Sequence, residues 1–155
     1  MKQLGVGIIG TGWCGGIRAI AASRSPLVGS LHIAEIDRDR LAEVRSWTTP
    51  VTATTLWEEI ISNPEVEAVM ISTTPETTHY PFAKAALEAG KHVLLEKPMA
   101  LTLEEADGLI ALAEAKDVKF TIGYSQRFNP KQALVKRSLN DGTLGSPVSV
   151  LISRH

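Results

Sequence analysis

Leu4-Gly5-Val6-Gly7-Ile8-Ile9-Gly10-Thr11-Gly12-Trp13-Cys14-Gly15 is the stretch whose reading decides the fold. Leu4–Ile9 is a short apolar run of strand character, closed by the glycine-rich turn Gly10–Gly16. Helix spacing follows from Ile17 to about Ser23, and Ser25-Pro26 stops it, because the residue before a proline avoids helical backbone angles. Strand, tight turn and helix in that order form the opening of a βαβ unit.

Working outward, the alternation continues. Leu31–Ile36 reads as the second strand and Leu41–Trp47 has short helical character. Val51-Thr52 reads as a brief strand before a helix over Leu56–Ile61, which Asn63-Pro64 ends. Ala68–Ser72 is a continuous apolar run, the pattern of a strand covered on both faces. Helix spacing returns over Tyr80–Ala89, with Phe82, Ala83 and Ala86 on one face and Gly90 as the C-terminal stop. Val93–Leu95 is a fifth strand. Thr102 and Glu105 stand at capping-box spacing before a helix that would bury Leu103, Ala106, Ile110 and Ala113. Phe120–Ile122 is the sixth strand. Strands and helices alternating at these lengths predict an α/β fold, a doubly wound parallel sheet of Rossmann type with helices on both faces.

After Gly123 the character changes. Asn129-Pro130 leads into a helix over Lys131–Leu139, Asp141-Gly142 makes a turn, and Pro147–Ser153 alternates like a strand. Residues 1–123 are therefore expected to form one domain. Residues 124–155 are expected to hold a linker helix and the first strand of an incomplete second one. That strand edge, uncovered by its own chain, would pair with a second copy, dock in a swapped arrangement or be poorly ordered.

Composition narrows the function. A chain of 155 residues, 44% hydrophobic and 21% charged, suits a folded globular protein rather than a disordered one. A net charge of -1 argues against nucleic acid and against an anionic membrane as partners, so any phosphate binding must be local. No run reaches the ~18 apolar residues of a membrane span, and the N-terminus lacks the pattern of a signal peptide. The single cysteine, Cys14, excludes an intrachain disulfide, and a cytoplasmic location is the economical expectation. No Cys/His/Asp cluster has metal-ligand spacing, so no metal is expected.

The quoted stretch contains Gly10-Thr11-Gly12-Trp13-Cys14-Gly15, a G-x-G-x-x-G between a strand and a helix. Gly10 permits the tight turn, Gly12 lets backbone approach a pyrophosphate, and Gly15 lets helix pack on strand. The helix N-terminus adds free N–H groups and a positive dipole end. Asp37 lies 22 residues beyond Gly15, where an acidic side chain accepts the ribose hydroxyls of adenosine and repels a 2′-phosphate. This favours NAD. Arg38 beside it could meet that phosphate, so NADP stays open. Glu35 competes for the role, but alternation from Ile36 puts it within the second strand. The plain alternative for Asp37 is a helix N-cap, compatible with the first. Glu96-Lys97-Pro98 ends the fifth strand, at the edge where open α/β sheets bind ligands. A lysine there can hold a substrate hydroxyl and assist proton transfer during hydride transfer. Its plain alternative is a surface lysine paired with Glu96. Cys14 reads as a small turn residue, His32 and His92 as structural, and Trp47 and Trp57 as packing residues. Trp13 could cover the pyrophosphate.

The set GTGWCG, EIDRD, STTPETTH, GKHVLLEKPMALTLEEA and GYSQRFNP, in this order and spacing, resembles the Gfo/Idh/MocA oxidoreductases. The likeness covers almost the whole chain, and GKHVLLEKP is its most discriminating part. It implies an NAD(P)-dependent oxidoreductase acting on a sugar or polyol. It implies that Thr73, Thr74 and Pro75 line the nicotinamide-ribose side, with His79 starting the next helix. Glu96 and Lys97 would be the strand-end pair, Lys97 being the catalytic residue and touching both cofactor and substrate. Arg127 would lie at the cofactor pocket's rim, and the Lys97–Pro98 bond would be cis. The family's usual histidine three residues after the third glycine is Arg18 here. Members of the family are longer, with a second, open-faced sheet domain that supplies the substrate pocket. The 155-residue chain is therefore expected to bind cofactor without turning over substrate. A stand-alone dinucleotide-binding redox sensor, or a regulatory subunit without activity, is the competing expectation.

Overall fold

The computed structural model describes residues 2–153; His155, the end of the chain, lies outside them. The chain divides into two compact units, one up to Gly123 and one from Tyr124 onward.

In the first unit, β1 (Leu4–Ile9) runs into α1 (Trp13–Ser23), followed by β2 (Val28–Ala34), α2 (Arg38–Thr48), β3 (Thr52–Thr54) and α3 (Trp57–Ser62). The second half repeats the alternation with β4 (Ala68–Ile71), α4 (His79–Glu88), β5 (His92–Leu95), α5 (Leu103–Ala115) and β6 (Phe120–Ile122). All five ladders are parallel, in the order β3-β2-β1-β4-β5-β6. The chain thus leaves β1 in one direction, returns beside it as β4 and proceeds in the other. That reversal opens a crevice at the carboxyl ends of the strands.

The core explains the apolar runs. Ile8 and Ile33 pack with Ala19 of α1 and Val44 of α2, while Ile71 and Leu95 pack with Leu87 of α4 and Leu109 of α5. Each large side chain fully withdrawn from water in this way contributes about 1.5–3 kcal/mol. The N-caps are built from the expected residues. Asp37 caps α2 through the N–H groups of Asp39 and Arg40, and Thr102 caps α5 through that of Glu105. The Glu105 carboxylate reaches back to the N–H of Leu101, not to that of Thr102, so the capping box closes one residue early.

Several boundaries differ from the sequence reading, each for a physical reason. α1 starts at Trp13, four residues before Ile17, because Gly15 is the contact point of the helix on the backbone that ends β1, and Gly16 lies under the Arg40 side chain of α2, so both belong to the helix rather than to a turn. β2 ends at Ala34, so Glu35 and Ile36 lie beyond the strand. On α5 the buried face is Leu109 and Ala113; Leu103 and Ile110 are exposed. The stripe is rotated by one position, which spacing alone could not detect. In the second unit, α6 (Pro130–Asn140) follows a 3-10 turn at Ser125–Phe128, with Asn129 as its cap. The strand expected over Pro147–Ser153 is not formed: these residues carry no regular structure, and Val148, Val150 and Ile152 are exposed. Alternation supplies a face, but a strand also needs a neighbour to satisfy its backbone.

Candidate functional site

A cavity of about 630 Å³ opens at the carboxyl ends of β1, β2, β4 and β5. Its centre is the first turn. Gly10 takes a φ of +81°, open to glycine at no steric cost, and its N–H donates to the Ala34 carbonyl at 2.9 Å. A Cβ at Gly15 would stand 2.0 Å from the Gly10 carbonyl oxygen, so helix and strand meet there as bare backbone. A Cβ at Gly12 would meet nothing within 4 Å. Gly12 is therefore not required by packing inside the protein, and its missing side chain leaves a cradle on the cavity wall. No side chain caps α1. The N–H groups of its first turn consequently remain for an anion, which suits a pyrophosphate.

On the β2 side, Thr11 is fully buried. Its N–H and Oγ1 donate to one oxygen of Glu35 at 2.6 and 2.8 Å, and its carbonyl accepts from Arg40 Nε at 2.7 Å. Thr11 holds the loop and does not line the cavity. The other Glu35 oxygen accepts from the N–H of Asp37 at 3.1 Å. Glu35 lines the cavity, but its carboxylate is engaged in fixing two backbone turns. Asp37 uses only Oδ1 for capping, at 2.9 and 3.0 Å, which leaves Oδ2 available for ribose hydroxyls. Arg38 does not line the cavity. Arg40 does, braced by Glu43 at 2.6 Å and lying 4.9 Å above the Trp47 ring.

Across the crevice, Ser72, Thr73 and Thr74 line the cavity after β4; Pro75, joined to Thr74 by a cis bond, does not. His79 is buried, its ring nitrogens 2.6 Å from the Pro98 carbonyl oxygen and 3.1 Å from that of Thr73. The ring thereby ties the loop after β4 to the loop after β5. Glu96 and Lys97 also line the cavity, and the Lys97–Pro98 bond is cis. One Glu96 oxygen accepts from Arg18 Nη2 and the other from the N–H of Lys97 at 2.9 Å. The surface pair between Glu96 and Lys97 weighed from the sequence is not formed. Among the described residues Lys97 Nζ has no hydrogen-bond partner.

Trp13 and Cys14 line the cavity as well, Trp13 with 83% of its surface exposed. Arg127 belongs to the second unit. Three residues were read from the sequence without a place at the site. Trp57 and Phe82 stack with ring centroids 4.4 Å apart and form part of the cavity wall. Their separation in sequence gives no signal that they meet. Arg18, noted only as a departure from a family pattern, holds Glu96 and the Ser72 hydroxyl.

Away from the cavity, His32 is buried between Ser30 and Thr52. Burial lowers its pKa, with Glu65 pulling weakly the other way. Burial also lowers that of Lys91, against the pull of Glu67. The Lys91 ammonium donates to the carbonyls of Asn63 and Val66. Among the described residues no group of three or more His, Cys, Asp or Glu could hold a metal ion, and no helix is long and apolar enough to cross a membrane.

Residues 4–124 match the model of the Gfo/Idh/MocA oxidoreductase family, described as an NAD-binding Rossmann fold. The chain is 32% identical to levoglucosan dehydrogenase of Pseudarthrobacter phenanthrenivorans over 96% of its own length and 40% of the relative's. It is also 32% identical to scyllo-inositol 2-dehydrogenase (NADP(+)) of Bacillus subtilis, covering 90% of this chain and 38% of that protein. A solved structure of levoglucosan dehydrogenase with NADH and levoglucosan superposes with a TM-score of 0.83 at 32% identity, covering 93% of this chain and 41% of that one. The chain thus spans about two fifths of the length of these relatives.

Proposed function

This chain belongs to the Gfo/Idh/MocA family of NAD-binding oxidoreductases, and from that premise we propose that it supplies the cofactor-binding part of a sugar or polyol dehydrogenase. Residues 1–123 are the binding unit in this reading.

The observation that carries the proposal is Lys97, which lines the cavity at a strand end and whose amine, among the described residues, is held by no neighbour. A protein that only binds a dinucleotide has no need of such a group there. In the reading we favour, the first turn binds the pyrophosphate, with Gly12 in contact and the α1 N–H groups donating. Asp37 Oδ2 accepts from the adenosine ribose, favouring NAD over NADP by charge repulsion. Thr73 and Thr74 face the second ribose, with His79 fixing their loop. When bound, NAD supplies the hydride acceptor. Lys97 Nζ would then hold the substrate oxygen and take up the hydroxyl proton as the carbon gives up its hydride. The relatives named for levoglucosan and scyllo-inositol motivate the choice of polyhydroxylated substrates.

The test is a panel of polyols and anhydrosugars, read by absorbance of the reduced cofactor in a protein of the relatives' full length that carries this chain. Turnover should fall by about 10²-fold or more in Lys97→Met, the usual range for losing a positioned acid–base group. In the 155-residue chain we expect NADH binding without turnover, because turnover needs a substrate held against the nicotinamide and shielded from water, and the cavity opens outward at the strand ends. Unchanged turnover in Lys97→Met would end the assignment of Lys97; a chain that fails to bind NADH would end the reading as a whole.

A further inference from the structure

The carboxylate nearest to Lys97 in sequence is held away from it. Glu96 Oε2 stands 2.9 Å from the backbone nitrogen of Lys97, well within the span of that residue's own four-carbon stem. An ammonium group so close to a carboxylate would ordinarily fold back on it. Glu96 already has a cation: Arg18, which comes from α1 across the crevice, bonds Oε1 with Nη2 and anchors Nη1 on the Ser72 hydroxyl. Both side chains are well shielded, 17% and 13% exposed, so the pair is screened far less than one on the surface.

Gly123, just past the end of β6, makes the room. A Cβ there would fall 2.5 Å from Arg18 Nη2 and 2.8 Å from Glu96 Oε1. The atoms it would strike are side-chain ends, normally free to swing aside, but here each is pinned by the other. Three separate elements thus meet on one ion pair beneath the end of the cavity that holds Lys97.

We propose that Arg18 is a positioning residue: by pairing with Glu96 it withholds that carboxylate from Lys97, leaving the Lys97 amine free to face the cavity. The proposal rests on the reading of Lys97 as the group that meets substrate. If Arg18 is removed, Glu96 keeps its charge and loses its partner. The nearest replacement cation is then Lys97 Nζ, which would be drawn onto the carboxylate and out of action.

The test uses the reactivity of the amine, which requires neither NAD nor substrate. The folded chain is acetylated with limiting acetic anhydride, and modification at Lys97 is followed by peptide mass spectrometry. Only the neutral amine reacts, so capture by a carboxylate slows it. Arg18→Met should slow acetylation of Lys97 by about twofold to fivefold, the range of a partly exposed ion pair. Arg18→Met combined with Glu96→Gln should restore the original rate, which a merely structural role for Arg18 would not produce. If Arg18→Met does not fold, Gly123→Ala pries the same pair apart and should slow Lys97 in the same direction. An unchanged rate in the folded Arg18→Met or Gly123→Ala chain overturns the proposal, and so does slowing that Glu96→Gln fails to reverse. NADH titration of the unmodified chain separates this result from the cofactor assignment: loss of one leaves the other measurable.

Discussion

The two ends of the cavity each carry a strand-end carboxylate, and the chain treats them in opposite ways. At the β2 end, Asp37 bonds backbone N–H groups through one oxygen and, among the described residues, pairs with no cation. At the β5 end, Glu96 is neutralised by Arg18, and the charge left over is the ammonium of Lys97. One end thus presents a carboxylate oxygen to the cavity, the other an amine. Residue type alone does not decide which role a carboxylate takes; a guanidinium from a different helix does.

The largest expected effect removes both ends together. Gly12→Val should leave the chain folded, at a cost of about 1 kcal/mol for the poorer N-cap of α1, because a Cβ there meets no packed neighbour within 4 Å. Calorimetry with NAD should show a loss of about a hundredfold, the equivalent of one or two hydrogen bonds to a charged group. Gly15→Ala should do the reverse and cost about 3 kcal/mol of folding stability in a denaturant titration, as overpacking against fixed backbone does. Equal behaviour of the two variants would show that the turn is only a packing device.

A smaller change sharpens the β2 end. Asp37→Ser keeps a side chain able to cap α2 but loses the charge. NAD should bind about tenfold more weakly, and the margin over NADP should narrow. A wild-type preference for NADP would invert this part of the comparison. Arg38→Ala, by contrast, should change the affinity for either dinucleotide by less than about twofold, since Arg40 and not Arg38 lines the cavity; isothermal titration decides it.

The smallest effect lies below the β2 end and concerns stability. The pKa of His32 is lowered by burial from 6.5, so at mildly acidic pH the unfolded chain binds a proton that the folded chain resists. Stability should therefore fall as pH drops below about 6.5 and continue to fall until the folded-state value is reached. Thermal melts between neutral and mildly acidic pH should show a drop that is shallower in His32→Gln. An identical slope would mean that other groups carry the acid sensitivity.

The alternation of strands and helices and the glycine positions of the first turn were legible in the sequence because they rest on local rules: apolar runs, glycines at fixed offsets, and proline stops. β6 at Phe120–Ile122 and the Asp37 cap match the reading directly. What escaped is non-local. The exposure of Ile110, the Trp57–Phe82 stack and the Arg18–Glu96 pair depend on rotations and crossings that one-dimensional spacing does not encode. The positions of Glu35 and Arg40 depend on where β2 stops, and a shift of two residues there exchanges strand for loop. Pro147–Ser153 failed for a different reason: its alternation is genuine, but a ladder needs two members.

Of the three tryptophans, Trp13 and Trp57 line the cavity and Trp47 sits outside it beneath Arg40. The molecule therefore carries its own optical gauge. Energy transfer from indole to reduced nicotinamide would report occupancy chiefly through the first two, with Trp47 as an internal reference. A Trp57→Phe variant would keep an aromatic ring against Phe82 while assigning the remaining signal from the cavity wall to Trp13, so the two halves of the crevice could be followed separately without any added label.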